Sequence, residues 1–166
     1  MNSLTTKLPS IILLLCALSL SGELITEWQY SPYDAGGGIA FILWVAMGWL
    51  LQQRVVRPSL LLLGASAMAL LTGVITNLDV AIHASILLVA LQFVERKPAA
   101  LVFFGTGVIW TPTFSYMLAS LGVDAAYVLT IRMVLVATAF MLVLGVRGMH
   151  KSSNQSSINR GAASHG

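Results

Sequence analysis

Arg132 stands inside an apolar run, from Ala125 to Val146, that holds no other charge. A guanidinium in hydrocarbon costs at least a few kcal/mol unless it reaches the surface or finds a partner. Two readings follow: Arg132 binds a carboxylate or other anion, or it snorkels to the outer interface or pairs structurally with a carboxylate. Asp124 is about eight residues, or ~12 Å, away along the same helix and about 80° around it, which is too far for a direct pair. A partner from another helix or from the 23–35 segment, such as Glu27, Asp34 or Asp79, is expected instead. His83 is the second candidate. It follows Asp79 by four residues, so the two share one helical face. The carboxylate favours the imidazolium and burial opposes it. The alternative is a hydrogen-bonded packing histidine. Trp28, with Glu27 and Asp34, belongs to an acidic and aromatic segment over residues 23–35 that also holds Tyr30, Pro32 and Tyr33. Arg132, His83, Asp79, Asp34, Trp28 and Glu27 are therefore the residues expected to line one outward-facing polar pocket.

Other chemistries lack their residues. Cys16 is the single cysteine, which excludes an internal disulfide. It falls near the middle of an apolar run, where a thiol stays protonated and is a poor nucleophile. No histidine or cysteine pair has metal-ligand spacing, so neither metal nor cofactor is expected; His150 and His165 lie near the C-terminus. Gly36, Gly37 and Gly38 are not followed by the Lys and Ser/Thr of a phosphate-binding loop. Nothing places a particular serine beside His83 for nucleophilic catalysis.

The elements that must position these residues are apolar helices. Of 166 residues, 57% are hydrophobic and 9% charged, with mean hydropathy +0.86, a composition that suits a bilayer rather than water. The formal net charge is +3, but topology explains it better than nucleic-acid binding does. Lys7 precedes the first apolar run; Arg54 and Arg57 follow the second; Arg96 and Lys97 follow the fourth; Arg147, Lys151 and Arg160 follow the sixth. The alternate connections hold Glu23, Glu27 and Asp34, then Asp79, then Asp124. Lys and Arg concentrate in cytoplasmic loops. The pattern predicts an all-α polytopic membrane bundle of six transmembrane helices with both termini cytoplasmic.

The predicted spans cover about 8–25, 36–52, 59–76, 80–94, 99–120 and 125–146, forming one transmembrane domain over 1–146. Residues 147–166, rich in Ser, Asn and Gly, read as a disordered cytoplasmic tail. A cleaved signal peptide is the rival reading of the first run, since Lys7 precedes the apolar stretch and Ser19 to Gly22 supply small residues. Pro58 is expected to open the third span and Asp79 to cap the fourth. Pro112 is expected to kink the fifth and leave the carbonyl near Val108 needing another partner. All four tyrosines, Tyr30, Tyr33, Tyr116 and Tyr127, fall near the outer boundary, where rings meet lipid and hydroxyls stay wet. Small residues recur every four positions as Ala65, Ala69, Gly73 and Asn77, and again as Gly107, Thr111, Ser115 and Ala119. Such stripes let helices approach closely in lipid.

The stretch from Trp28 through Pro32, Tyr33 and Asp34 to Gly36, Gly37 and Gly38, followed by an apolar span closing on Trp49, Gln52, Gln53 and Arg54, resembles the early part of the exosortase/archaeosortase family. The resemblance covers roughly residues 23–57. It implies a polytopic protein that handles C-terminal sorting tails at the outer membrane face with cysteine, arginine and histidine. Here no cysteine follows Cys16, so the resemblance implies a non-catalytic or accessory relative rather than a working transpeptidase. Its expected setting is a bacterial-type inner membrane, and its expected role is surface-protein sorting or envelope assembly. Its expected partners are the lipid bilayer and an apolar sorting tail or another membrane protein, with no nucleic acid. A small transporter or channel subunit, or a structural subunit of a membrane complex, is the alternative.

Overall fold

The structure is a computed structural model and describes residues 3–52, 59–94 and 97–163. It is all-helical, with no strand among the described residues. Eight helices follow in order: α1 (Ser3–Leu20), α2 (Glu23–Tyr30), α3 (Gly37–Leu51), α4 (Leu60–Thr76), α5 (Asp79–Leu91), α6 (Lys97–Ile109), α7 (Pro112–Ser120) and α8 (Ala125–Ala163). The predicted spans reappear as α3, α4 and α5 within a few residues. The first predicted span covers most of α1 and the start of α2, which meet at 49°, and the fifth covers α6 and α7, which meet at 73°. Among the described residues one helix, over Ala125–Gly145, is long and apolar enough to cross a membrane, or up to three segments are if each bent pair counts as one span. Helices α3, α4 and α5 are apolar but shorter. Arg54, Arg57, Pro58, Glu95, Arg96 and His165 lie outside the described residues. α8 runs on to Ala163, through the stretch whose composition predicts a tail. No proline interrupts its hydrogen-bond ladder there.

The break at Pro112 follows from the sequence. Proline has no N–H and cannot continue α6, so it opens α7 at the first turn, where that donor would be idle. The Val108 carbonyl that loses its helical partner accepts from the Thr111 hydroxyl at 2.7 Å and from the Thr111 N–H at 3.1 Å. Asp79 departs from expectation. It lies in the first turn of α5 rather than at the cap, and makes no capping hydrogen bond. Asn77 adopts a left-handed conformation (φ 53°) that ends α4, and Leu78 is extended. That two-residue turn pushes the helix start one position along. The Asp79 carboxylate still sits at the positive end of the α5 dipole.

Helices α4 and α5 form the most extensive pairing, as a tight antiparallel hairpin. Its closest approach is Gly73. A Cβ there would lie 2.6 Å from Ile82 Cγ1, 3.0 Å from the Ile82 N and 3.1 Å from the Leu78 O. Two of those neighbours are backbone and cannot swing aside. The buried face of α4 is Ser66, Leu70 and Gly73, whereas Ala65 is exposed and Ala69 half-buried. The predicted stripe of Ala65, Ala69 and Gly73 is thus corrected by one position at its start. A strict four-residue step drifts about 40° per turn from the 3.6-residue helical period. Ser66 donates to the Ser85 carbonyl at 2.9 Å and lies 3.0 Å from its hydroxyl, closing the hairpin at mid-length.

The core is aromatic. Trp44 stacks on Phe103 at 4.7 Å between centroids, and its indole N–H donates to the Phe103 carbonyl at 2.9 Å. Gly107 makes room for that indole, since a Cβ would lie 2.9 Å from Trp44 Nε1. Trp110 is fully buried and packs edge-on against Phe41 and Trp28. At the opposite end, Ser10 of α1 donates to the buried Gln92 at 2.9 Å. The outside is the reverse of a soluble protein: Ile42, Leu61, Ile75, Leu101 and Met141 are all more than 60% exposed.

Gly73→Val is expected to destabilise the protein by about 1–3 kcal/mol or more through overpacking against backbone. Gly64→Val, where a Cβ meets nothing within 4 Å, is expected to leave stability nearly unchanged. Detergent unfolding midpoints of the two variants check the contrast.

Candidate functional site

The predicted constellation is divided into two neighbouring sites. The first is a buried clamp around Arg132. Its guanidinium has no exposed surface, and its Asp34 partner is only 2% exposed. Arg132 Nη1 donates to the carbonyls of Asp34 at 2.9 Å and Ala35 at 3.2 Å. Nη2 reaches the Asp34 carboxylate at 3.4 Å and donates to the Ser115 hydroxyl. Ser115 sits within donating distance of Asp34 Oδ1 at 2.6 Å and the Tyr33 carbonyl at 3.0 Å. The guanidinium also lies over the Phe114 ring, 5.9 Å from its centroid. Of the three acids that sequence allowed as partners, the geometry selects Asp34. Arg132 Nε is buried without a hydrogen-bond partner.

The local backbone explains this choice. Gly36, at φ +80°, turns the chain into α3 in a left-handed conformation that other residues rarely adopt. The turn directs the Asp34 and Ala35 carbonyls toward α8. Trp28 braces the turn from outside: its ring covers Gly37 and Gly38, and its N–H donates to the Trp110 carbonyl at 3.3 Å. The clamp thus joins α7, α8 and the turn before α3. Arg132, Asp34 and Trp28 hold α7, α8 and the turn before α3 together and do not line the neighbouring cavity.

The second site is that cavity, ≈ 260 Å³, formed where α2, α5, α7 and the α4–α5 turn meet. Glu27, Asp79 and His83 line it, together with Asn77, Thr113 and Tyr116. Asp79 is exposed at one wall and Glu27 is half-buried at the other. His83, one turn deeper, is 5% exposed, packs edge-on against Trp110 at 5.8 Å, and has its Nδ1 buried without a partner. Burial raises the Glu27 carboxyl above the usual carboxylate range, and the nearby charges of Asp34, Asp79 and Glu23 raise it further. Cys16 is on the exposed surface of α1 and does not line the cavity.

Of the packing residues, Gly73 and Gly107 serve as close-approach points. Thr111 and Ser115 are buried but face hydrogen-bonding tasks instead: Thr111 satisfies the broken helix, and Ser115 completes the clamp. Sequence reasoning missed Ser115 as a partner of Arg132, and missed the Tyr33 and Ala35 carbonyls. A small residue in an apolar helix carries no signal of what faces it. Tyr116 stood out only as a boundary residue. No group of three or more His, Cys, Asp or Glu among the described residues is arranged to hold a metal. Comparison with protein-family models, with curated proteins and with solved structures finds no match to this chain.

Two outcomes are expected. Arg132→Met leaves Asp34 buried and charged, which should cost about 3–5 kcal/mol. Adding Asp34→Asn to that variant should recover part of the loss, measured as unfolding midpoints in detergent. For Glu27, a raised folded-state pKa means that the fold holds this proton more tightly than the unfolded chain does. Its stabilising contribution is therefore present at low pH and lost as pH rises through the folded value. Glu27→Gln should raise the unfolding midpoint at neutral pH, and the gain should vanish as pH falls below the ordinary carboxylate range.

Proposed function

We propose that this chain is a six-pass integral protein of a bacterial-type inner membrane, acting as a non-catalytic recognition subunit at the outer face. The role suits an accessory protein of exosortase-type surface-protein sorting or envelope assembly. The observation that carries the reading is the cavity in which Glu27, Asp79 and the unpartnered His83 converge. Fixed polar groups in a small concave site are what a binding site requires.

Membrane insertion is supported by the distribution of polarity. Large apolar side chains point outward from α3, α4, α6 and α8, while Arg132, Asp34, Ser115 and His83 are inside. Intramembrane polar groups pack toward a bundle interior in this way. Helix α5, at 13 residues, is only about 20 Å long against a ~30 Å hydrocarbon layer, so a six-pass arrangement needs local thinning around it. The sorting of Lys and Arg to alternate connections sets the cavity on the outer side.

Recognition is favoured over transport because the serines below His83 are bonded, leaving, among the described residues, only the Gln92 amide nitrogen unpartnered there. Ser66 bonds to Ser85, and Ser10 to Gln92, so no open polar path continues inward among the described residues. It is favoured over cysteine transpeptidation because Cys16 is exposed on α1 and does not line the cavity.

Two measurements test this. Alkaline phosphatase fused after Leu78 should be active, and fused within 54–57 inactive; the reverse pattern overturns the topology. In the host cell, Asp79→Asn combined with His83→Ala should deplete surface-anchored proteins while membrane abundance of the chain is unchanged. An unaltered surface profile removes the recognition role.

A further inference from the structure

We propose that the outer cavity binds a primary ammonium group, offered at the outer leaflet by an aminophospholipid headgroup or by a free amine. This rests on the reading of the cavity as an outward-facing recognition site, and adds the chemistry of what enters it.

Size comes first. Pockets for drug-sized ligands run from about 300 to 1,000 Å³. A cavity of ≈ 260 Å³ lies just below that range and takes a small headgroup rather than a folded segment. Charge comes second. The lining carries two carboxylates, Glu27 from α2 and Asp79 from α5, on separate elements, and no Lys or Arg. Neither carboxylate has a side-chain ion pair among the described residues. Such a site repels phosphate or carboxylate and attracts a cation.

The third observation concerns hydrogen bonding. His83 lines the cavity, is 95% buried by the measure of its 5% exposure, and has its Nδ1 unpartnered. An unsatisfied buried polar atom is costly, so the fold gains when a ligand supplies the missing bond. A neutral imidazole offers one lone-pair nitrogen. A primary ammonium in the cavity can donate to it once the ring turns to present that nitrogen, while its other protons are directed toward Glu27 and Asp79. A quaternary ammonium carries the same charge but no N–H, and cannot satisfy the imidazole. The Tyr116 ring at the mouth attracts either cation and does not discriminate between them. Preference for the primary amine is thus the property that separates this site from a merely acidic surface.

The test uses the purified full chain, both in a non-ionic detergent and in nanodiscs. Ethanolamine and choline are the free probes. Phosphatidylethanolamine and phosphatidylcholine of matched acyl chains are the lipid probes. Tryptophan fluorescence, with Trp110 packed against His83, and the unfolding midpoint are the readouts. Wild type should favour the primary over the quaternary amine, in the free series, the lipid series or both. A response only to the lipid identifies the headgroup as the source; a response only to ethanolamine identifies a soluble amine. Asp79→Asn and Glu27→Gln should each weaken the response about tenfold, as expected for loss of one charge-assisted bond. His83→Ala should abolish the discrimination between primary and quaternary amines. Asp79 is exposed and caps no helix, so its variant keeps the fold and isolates binding. Equal responses of wild type to both amines in both series overturn the proposal, as does a preference retained in all three variants. If amine selectivity is absent while the Asp79/His83 variant still depletes surface proteins, the ligand assignment fails and the recognition role stands. If selectivity holds but the fusions place Leu78 inside, the outward orientation fails and the ammonium site stands.

Discussion

A guanidinium with no exposed surface has to be surrounded by acceptors, and the acceptors around Arg132 come from three separate parts of the chain. Asp34 supplies a carboxylate and a carbonyl, Ala35 a second carbonyl, and Ser115 a hydroxyl. These contacts join α8 to α7 and to the turn before α3. The cost of removing an arginine from water is large, so each acceptor must be held in place before the ion pair is favourable. That requirement explains nearby features that otherwise look unrelated. Gly36 gives the turn its left-handed residue, Trp28 covers the adjacent glycines, and Pro112 ends α6 so that α7 can present Ser115 at a new angle.

The clamp also defines the cavity beside it. With α7 bent 73° from α6, Thr113 and Tyr116 form a wall opposite α5. Trp110, at the bend, packs against His83 on one side and Trp28 on the other. The histidine is thus held between Trp110 and the cavity it lines. The two polar sites therefore have different characters. One is closed, paired and structural; the other is open, with acids on separate walls and a buried nitrogen that has no internal partner.

The helical period explains where close packing was and was not legible. Gly73 and Gly107 were visible as small residues in apolar runs, and both are contact points. Ala65 was equally visible and is exposed, because strict four-residue spacing winds away from the contact line. Asp79 had the residue type of a cap, but the left-handed Asn77 and extended Leu78 moved the helix start past it.

Sequence alone determined the helical character, the approximate limits of α3, α4 and α5, and the break at Pro112. These depend on hydropathy, on glycine and on a missing N–H, all local properties of the chain. It also marked Arg132 as needing a partner, since burial of an unpaired charge is prohibitive in any fold. Tertiary structure decided which acid that partner is. Glu27, Asp34 and Asp79 carry the same charge, and only the packing of α7 and α8 against the turn at Gly36 brings Asp34 to the guanidinium and leaves the other two facing His83. Distances between residues 98 positions apart are set by how helices pack, and no local pattern encodes them.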